Sequence, residues 1–124
     1  MTNALAVFIG GGIGALSRYW LTGAVYRVSQ SGFPYGTLLV NVLGCLFIGI
    51  LMSSAEQRFL LHPTLRLFLA VGILGGFTTF SSFSYETIAL LRDGEVAVTL
   101  LNIGSIVFIC LLAAYVGTSI AKLF

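Results

Sequence analysis

Gly75-Gly76-Phe77-Thr78-Thr79-Phe80-Ser81-Ser82-Phe83-Ser84-Tyr85-Glu86 follows the apolar run 67–74 and continues into Thr87-Ile88-Ala89-Leu90-Leu91. Together these residues make one segment, 67–91, long enough to cross about 30 Å of hydrocarbon as a helix. Two glycines and five serine or threonine hydroxyls nevertheless sit at its middle. Adjacent glycines weaken a helix. Irregular backbone at membrane depth survives only where protein or a water-filled cavity satisfies its polar groups. The segment therefore predicts a helix interrupted near Gly75–Thr79, with its function at the interruption.

Three further segments flank it. The charges mark their ends, giving spans of about 4–26, 35–55, 67–91 and 96–121 within a single transmembrane domain, 1–124. Arg27 to Pro34, Glu56 to Arg66 and Arg92-Asp93-Gly94-Glu95 read as the connections. With 58% hydrophobic and 8% charged residues, the chain cannot clothe a water-soluble surface, which needs near 25% charge. The spans do not alternate apolar and polar as barrel strands do. Short connections make neighbouring helices antiparallel. Residues 1–17 carry no side-chain charge, so the first span lacks the positive leader of a signal peptide and reads as retained. A net charge of +2 with scattered cations points to no nucleic-acid partner.

Orientation is undetermined by charge. Arg58, Arg66 and Lys122 fall on the side of the N-terminus, and Arg18, Arg27 and Arg92 on the other. The positive-inside rule needs an imbalance, and there is none. A chain without bias inserts both ways, and two opposed copies can pair as an antiparallel homodimer.

The polar residues inside the spans have competing readings. Arg18 is either a snorkelling residue near an interface or a cation in a water-filled vestibule that draws in anions. Asn41, one turn beyond Thr37, either bonds a neighbouring helix or donates to an anion in a pore. Glu86 is the one acid well inside a span, and must be paired or protonated there. Phe77, Phe80 and Phe83 recur every three residues, as do Thr78, Ser81 and Ser84, so two rows are expected along one helix. Phenylalanine edges are positive, and with hydroxyl donors they can replace an anion's water without trapping it. A half-helix N-terminus would add a favourable dipole. Gly10 and Gly14 share a spacing of four with Gly72 and Gly76, which suits close helix packing; no phosphate-loop or dinucleotide pattern follows the glycines. Cys45 and Cys110 read as buried thiols, and His62 as a loop residue. No paired carboxylates, triad or metal cluster suggests an enzyme.

Three stretches carry a resemblance: Gly10-Gly-Gly-Ile-Gly-Ala-Leu-Ser-Arg-Tyr19, Gly36-Thr-Leu-Leu-Val-Asn41-Val-Leu-Gly44, and the segment from Gly75 to Glu86. In this order and over the whole length they resemble the signatures of the Fluc (CrcB) fluoride channels. The resemblance implies an all-α membrane protein of four transmembrane helices, the third broken mid-membrane, working as an antiparallel dual-topology homodimer in the inner (plasma) membrane. It implies passive, fluoride-selective export with two pores per dimer. Phe80 and Phe83 would present ring edges to the ion, beside Asn41. Ser81, Ser82 and Glu86 would form a polar track, Thr37 would stand beside the path, and Arg18 would line a vestibule. A structural sodium ion would be held by backbone carbonyls at Gly75 and Thr78. Two positions depart from the family pattern. Residue 82 is Ser rather than Thr, which keeps the hydroxyl. On the fourth span, Asn102 and Ile106 stand where a tyrosine and a serine are usual, with Ser105 one residue off. The rival reading, a proton-coupled small multidrug exporter, needs an embedded carboxylate in the first span. Residues 4–26 contain none.

Overall fold

The computed structural model describes residues 1–58 and 61–124; Phe59 and Leu60, assigned above to the second connection, lie outside the described residues. Among those residues the chain is helical and has no strand. Four helices are long and apolar enough to cross a membrane: Thr2–Val28, Tyr35–Gln57, Pro63–Arg92 and Val96–Leu123. In hydrocarbon a backbone amide has no water to turn to, so each apolar run closes its hydrogen bonds on itself.

Helix α1 spans Thr2–Val28, α2 Tyr35–Arg58 and α5 Val96–Leu123. The third crossing is composite. Residues 63–77 form α3, and Phe80–Arg92 forms α4. Helix α3 starts at Pro63, where a missing amide costs nothing, and the His62 ring nitrogen Nδ1 accepts from the Thr64 amide at 3.2 Å. His62 is thus a helix cap, not simply a loop residue. Over Leu67–Leu74 the helix widens to π geometry, and the Gly75 amide donates back to Ala70. Widened turns of this kind are uncommon and cluster at functional sites. After Phe77 the backbone leaves helical geometry altogether: Thr78 sits at φ −84°, ψ 158° and Thr79 at φ −153°, ψ 114°. Helix α4 ends in a Schellman turn. Gly94, at φ +78°, allows Glu95 to donate to the Leu90 carbonyl (3.0 Å) and its own amide to reach Leu91 (3.1 Å).

Helix α1 lies against α3 along a glycine seam. A Cβ on Gly10 would meet the Phe68 carbonyl and Gly72 Cα, and one on Gly76 would meet the Gly11 carbonyl. A Cβ on Gly14 would overlap the Ile73 carbonyl. The two glycine pairs seen in the sequence therefore face each other. A second seam, not anticipated, joins α2 to α5, where Gly49 and Gly117 abut the opposite backbone. Lipid offers no hydrophobic force to bring helices together, so close backbone approach supplies the attraction instead.

The interior is inverted relative to a water-soluble protein. Buried apolar residues are few, Val40, Phe83, Ile106 and Ala121 among them, whereas Thr37, Asn41, Ser53, Thr79, Thr87, Thr99 and Asn102 are all buried. Large apolar side chains such as Phe8, Trp20, Leu101 and Phe108 face outward.

Candidate functional site

The extended pair Thr78-Thr79 organises the site. In an unbroken helix the Thr79 amide would donate to the Gly75 carbonyl. Here it donates to Asn41 Oδ1 at 2.9 Å, and Asn41 Nδ2 donates back to the Thr79 carbonyl at 3.0 Å. A carboxamide is the neutral side chain that offers a donor and an acceptor at one planar end, and this two-way bond fixes which way the amide points. Asn41 thereby satisfies a residue that has left its helix, the requirement for irregular backbone away from water.

Thr79 also caps α4. Its Oγ1 accepts from the Ser82 amide at 3.2 Å, donates to Ser82 Oγ at 3.0 Å and lies 3.2 Å from Ser81 Oγ. The capped N-terminus carries the positive end of the α4 dipole. Because Ser82's amide turns to the Thr79 hydroxyl, it is not spent on the Thr78 carbonyl. Thr78 itself is tied backward, its amide and its Oγ1 both 3.0 Å from the Leu74 carbonyl.

Two cavities meet at Thr79, which lines both. The first, about 390 Å³, is walled by Asn41, Thr78, Phe80, Phe83, Cys45 and Cys110 among others. Phe80 and Phe83 stand with ring centroids 5.3 Å apart and planes tilted by 56°. Phe83 is 8% exposed and Phe80 75%. The inner ring is thus held by the fold, and the outer one packs against it but is left largely uncovered by this chain. The second cavity, about 270 Å³, contains Arg18, Tyr26, Thr37, Ser82 and Glu86 in its wall. Arg18 Nε donates to the Gly76 carbonyl at 3.1 Å, just before the interruption. Glu86 Oε1 accepts from Thr37 Oγ1 at 2.8 Å and from Tyr26 OH at 3.2 Å, while Oε2 is buried and has no partner among the described residues.

The sequence candidates are therefore brought together in two sets. Asn41, Gly75, Thr78, Phe80 and Phe83 line the first cavity; Arg18, Thr37, Ser82 and Glu86 line the second. Ser81 is exposed and lines neither, though it reaches Thr79. The two rows read along one helix do not hold. The extended residues 78–79 separate Phe77 from Phe80 and Phe83, and Thr78 from Ser81 and Ser84. The Phe77 ring lies by Gly44, on the α2 side of α3. Tyr26 escaped the sequence reading; near the end of the first span it looked like an interfacial tyrosine, yet its hydroxyl reaches Glu86.

On the last helix, Asn102 is 1% exposed and donates to Thr87 Oγ1 at 3.0 Å, and Thr87 in turn donates to the Phe83 carbonyl at 2.6 Å. Asn102 so fastens α5 to the helix that carries Phe83. Ile106 contributes an apolar wall to the first cavity.

The family described as CrcB-like protein, Camphor Resistance (CrcB), matches residues 5–118. Named relatives match nearly end to end. A fluoride-specific ion channel FluC of Geobacter sulfurreducens is 46% identical over 98% of both chains. Proteins of the same name from Geotalea uraniireducens and Geotalea daltonii are 43% and 44% identical, the first over 98% of both chains, the second over 94% of this chain and 95% of its own.

Proposed function

Since this chain belongs to the CrcB family, we propose that it is a fluoride channel, a multi-pass protein of the inner membrane that lets fluoride leave the cell down its electrochemical gradient. One observation carries the reading at the site. The Asn41–Thr79 clamp interrupts the third crossing and leaves a phenylalanine pair, a capped helix N-terminus and a hydroxyl cluster around one point. Each of these favours an anion without presenting a full positive charge that would hold it. Fluoride is small and tightly hydrated, so its path must be narrow and must replace water with donors. Asn41 has a second Nδ2 hydrogen beyond the one given to Thr79, and the Ser81 and Ser82 hydroxyls stand at the helix mouth. Arg18, at the second cavity, draws anions toward it by its charge.

The working unit in this proposal is an antiparallel homodimer of dual topology. Two features support it. The cations divide evenly between the sides, and a single copy is short of cover. It exposes 7821 Å² where a folded water-soluble monomer of 13.2 kDa exposes about 6400 Å². Phe80, three-quarters exposed, would be covered by the second copy.

A structural sodium ion at the dimer axis fits the backbone present. The Gly75 and Thr78 carbonyls both lose their helical donors, since the Thr79 amide serves Asn41 and the Ser82 amide serves the Thr79 hydroxyl. Two copies would offer four such oxygens, hard ligands suited to a hard cation. Bound there, the ion would supply positive charge at the midplane.

The test is fluoride efflux from liposomes holding the purified protein, followed with a fluoride electrode and no proton gradient. Rapid, fluoride-selective efflux that Phe80→Ile abolishes is expected. Efflux of cationic dyes that instead depends on a proton gradient and on Glu86 would sink the proposal. Crosslinks between single cysteines in opposite-facing connections test the antiparallel arrangement, and crosslinks of parallel pairs alone would refute it.

A further inference from the structure

Cys45 on α2 and Cys110 on α5 play no part in the function proposed above, yet they are placed together. Both are free, both are half-buried, and both lie in the wall of the cavity that holds Asn41, Phe80 and Phe83. Helices α2 and α5 are in register at an offset of 65 residues: a Cβ on Gly49 would meet the Ala114 carbonyl, and Ser53 Oγ donates to the Thr118 carbonyl at 3.4 Å, and the same offset pairs Cys45 with Cys110. The seam where Gly49 and Gly117 let α2 and α5 approach closely lies on the same two helices, about one to two turns further along each. The two cysteines are thus placed as neighbours in one cavity wall by rigid elements rather than by loops.

We propose that Cys45 and Cys110 form a two-thiol site for a soft divalent cation, of which mercuric ion is the type, inside the cavity walled by Phe80 and Phe83. Three arguments select this class. Sulfur ligands prefer soft metals. No cluster of three or more His, Cys, Asp or Glu side chains occurs among the described residues, so zinc, which needs four ligands, is not accommodated. Charge decides between the remaining ions. On binding, two S–H bonds break, two S–metal bonds form and two protons leave to water, with no change of oxidation state. A divalent ion then gives a neutral bis-thiolate, whereas a monovalent ion such as silver or cuprous copper leaves a net negative charge. An apolar cavity at membrane depth penalises the charged product. The neutral complex would stand against the phenylalanine pair and narrow the space beside it.

The experiment is titration of the full chain in detergent with mercuric chloride, following heat and released protons together. The expected result is one ion per chain and two protons per ion. Removing either thiol turns a chelate into a single attachment, so Cys45→Ala and Cys110→Ala should each weaken binding by roughly 100-fold or more. Each should also release one proton per ion. Zinc chloride in excess should not compete. Two ions per chain with one proton each, or equal affinity in wild type and single variants, would overturn the proposal. The proton count on the wild-type chain decides the matter even if a variant fails to fold. In fluoride-loaded liposomes, one equivalent of mercuric ion should slow efflux by the wild type at least tenfold relative to its metal-free rate, and should not do so in the double alanine variant. Binding as described with no effect on a measurable efflux would overturn the placement of the bound ion beside the phenylalanines. Absence of efflux from every sample would count against the fluoride reading and leave the binding result standing.

Discussion

Replacing Asn41 with leucine keeps the branching and the heavy-atom count of the side chain and removes both hydrogen bonds to Thr79. The Thr79 amide then has no acceptor. It cannot return to the Gly75 carbonyl without rebuilding the turn, because residues 78 and 79 are extended. Interhelical hydrogen bonds within membranes are worth about 0.6 kcal/mol on average and up to about 1.7 kcal/mol, since the unfolded chain in lipid also finds partners. Two such bonds give about 1–3 kcal/mol. The upper half of that range is expected here, because Thr79 is buried and an orphaned backbone group adds its own desolvation penalty. A loss of about 2 kcal/mol lowers the folding equilibrium constant roughly 30-fold. The assay is equilibrium unfolding in mixed micelles, with helicity and the fluorescence of Trp20 as independent probes. A leucine variant within about 0.5 kcal/mol of wild type would show that the clamp does not hold the interruption open, and the reasoning built on it would fail. If the chain is stable in both forms but fluoride efflux is unchanged in the variant, the clamp is structural and plays no part in conduction.

Three other perturbations follow from the same geometry. Gly14→Ala drives a methyl into the Ile73 carbonyl and should cost about 1–3 kcal/mol in the same unfolding assay, while Gly12→Ala, with open space around it, should be neutral or slightly stabilising. Equal effects would refute the glycine seam. Thr37→Val removes the shorter of the two bonds to Glu86 and should cost about 1–2 kcal/mol by unfolding. A Tyr26→Phe background should make that loss larger, because Oε1 would then have no partner left; strict additivity would show that the two hydroxyls do not share the carboxylate. Asn102→Leu should cost about 1–2 kcal/mol and raise hydrogen exchange in α4 near Thr87, with little change in α1. Uniform change across the helices would argue against a local tie.

Much of the architecture was legible because it follows from solvent. Ten charges in 124 residues can only punctuate, and the four apolar runs between them are the four long helices. The glycine spacing at Gly10/Gly14 and Gly72/Gly76 announced close packing. It did not say that these pairs face one another, since spacing describes one helix and a seam belongs to two. The widened turn at Leu67–Leu74 left no mark, because leucine, alanine and valine fit α and π geometry alike. The phenylalanine rows were misread for a related reason. A three-residue repeat means one face only while the helix continues, and two extended residues reset the count between Phe77 and Phe80. Asn41 and Glu86 stood out as polar groups in apolar runs, a signal that works because lipid makes each one costly. Tyr26 did not stand out, since tyrosine is at home near a membrane surface. Asn102 was noticed as a departure from a pattern, and its tie to Thr87 became visible only when α4 and α5 were placed together.

The carboxamide at position 41 has a consequence at the level of the gene. One nucleotide change in an asparagine codon yields lysine, aspartate, tyrosine, histidine, threonine, serine or isoleucine. None of these offers a neutral planar donor and acceptor at the same reach, and aspartate does so only while it keeps a proton. Glutamine, the other amide, lies at least two changes away and is one methylene longer. The interrupted crossing therefore rests on a residue with no adjacent substitute in the genetic code. A lineage that loses it must either restore the same codon or rebuild the turn at Thr78-Thr79 with other partners.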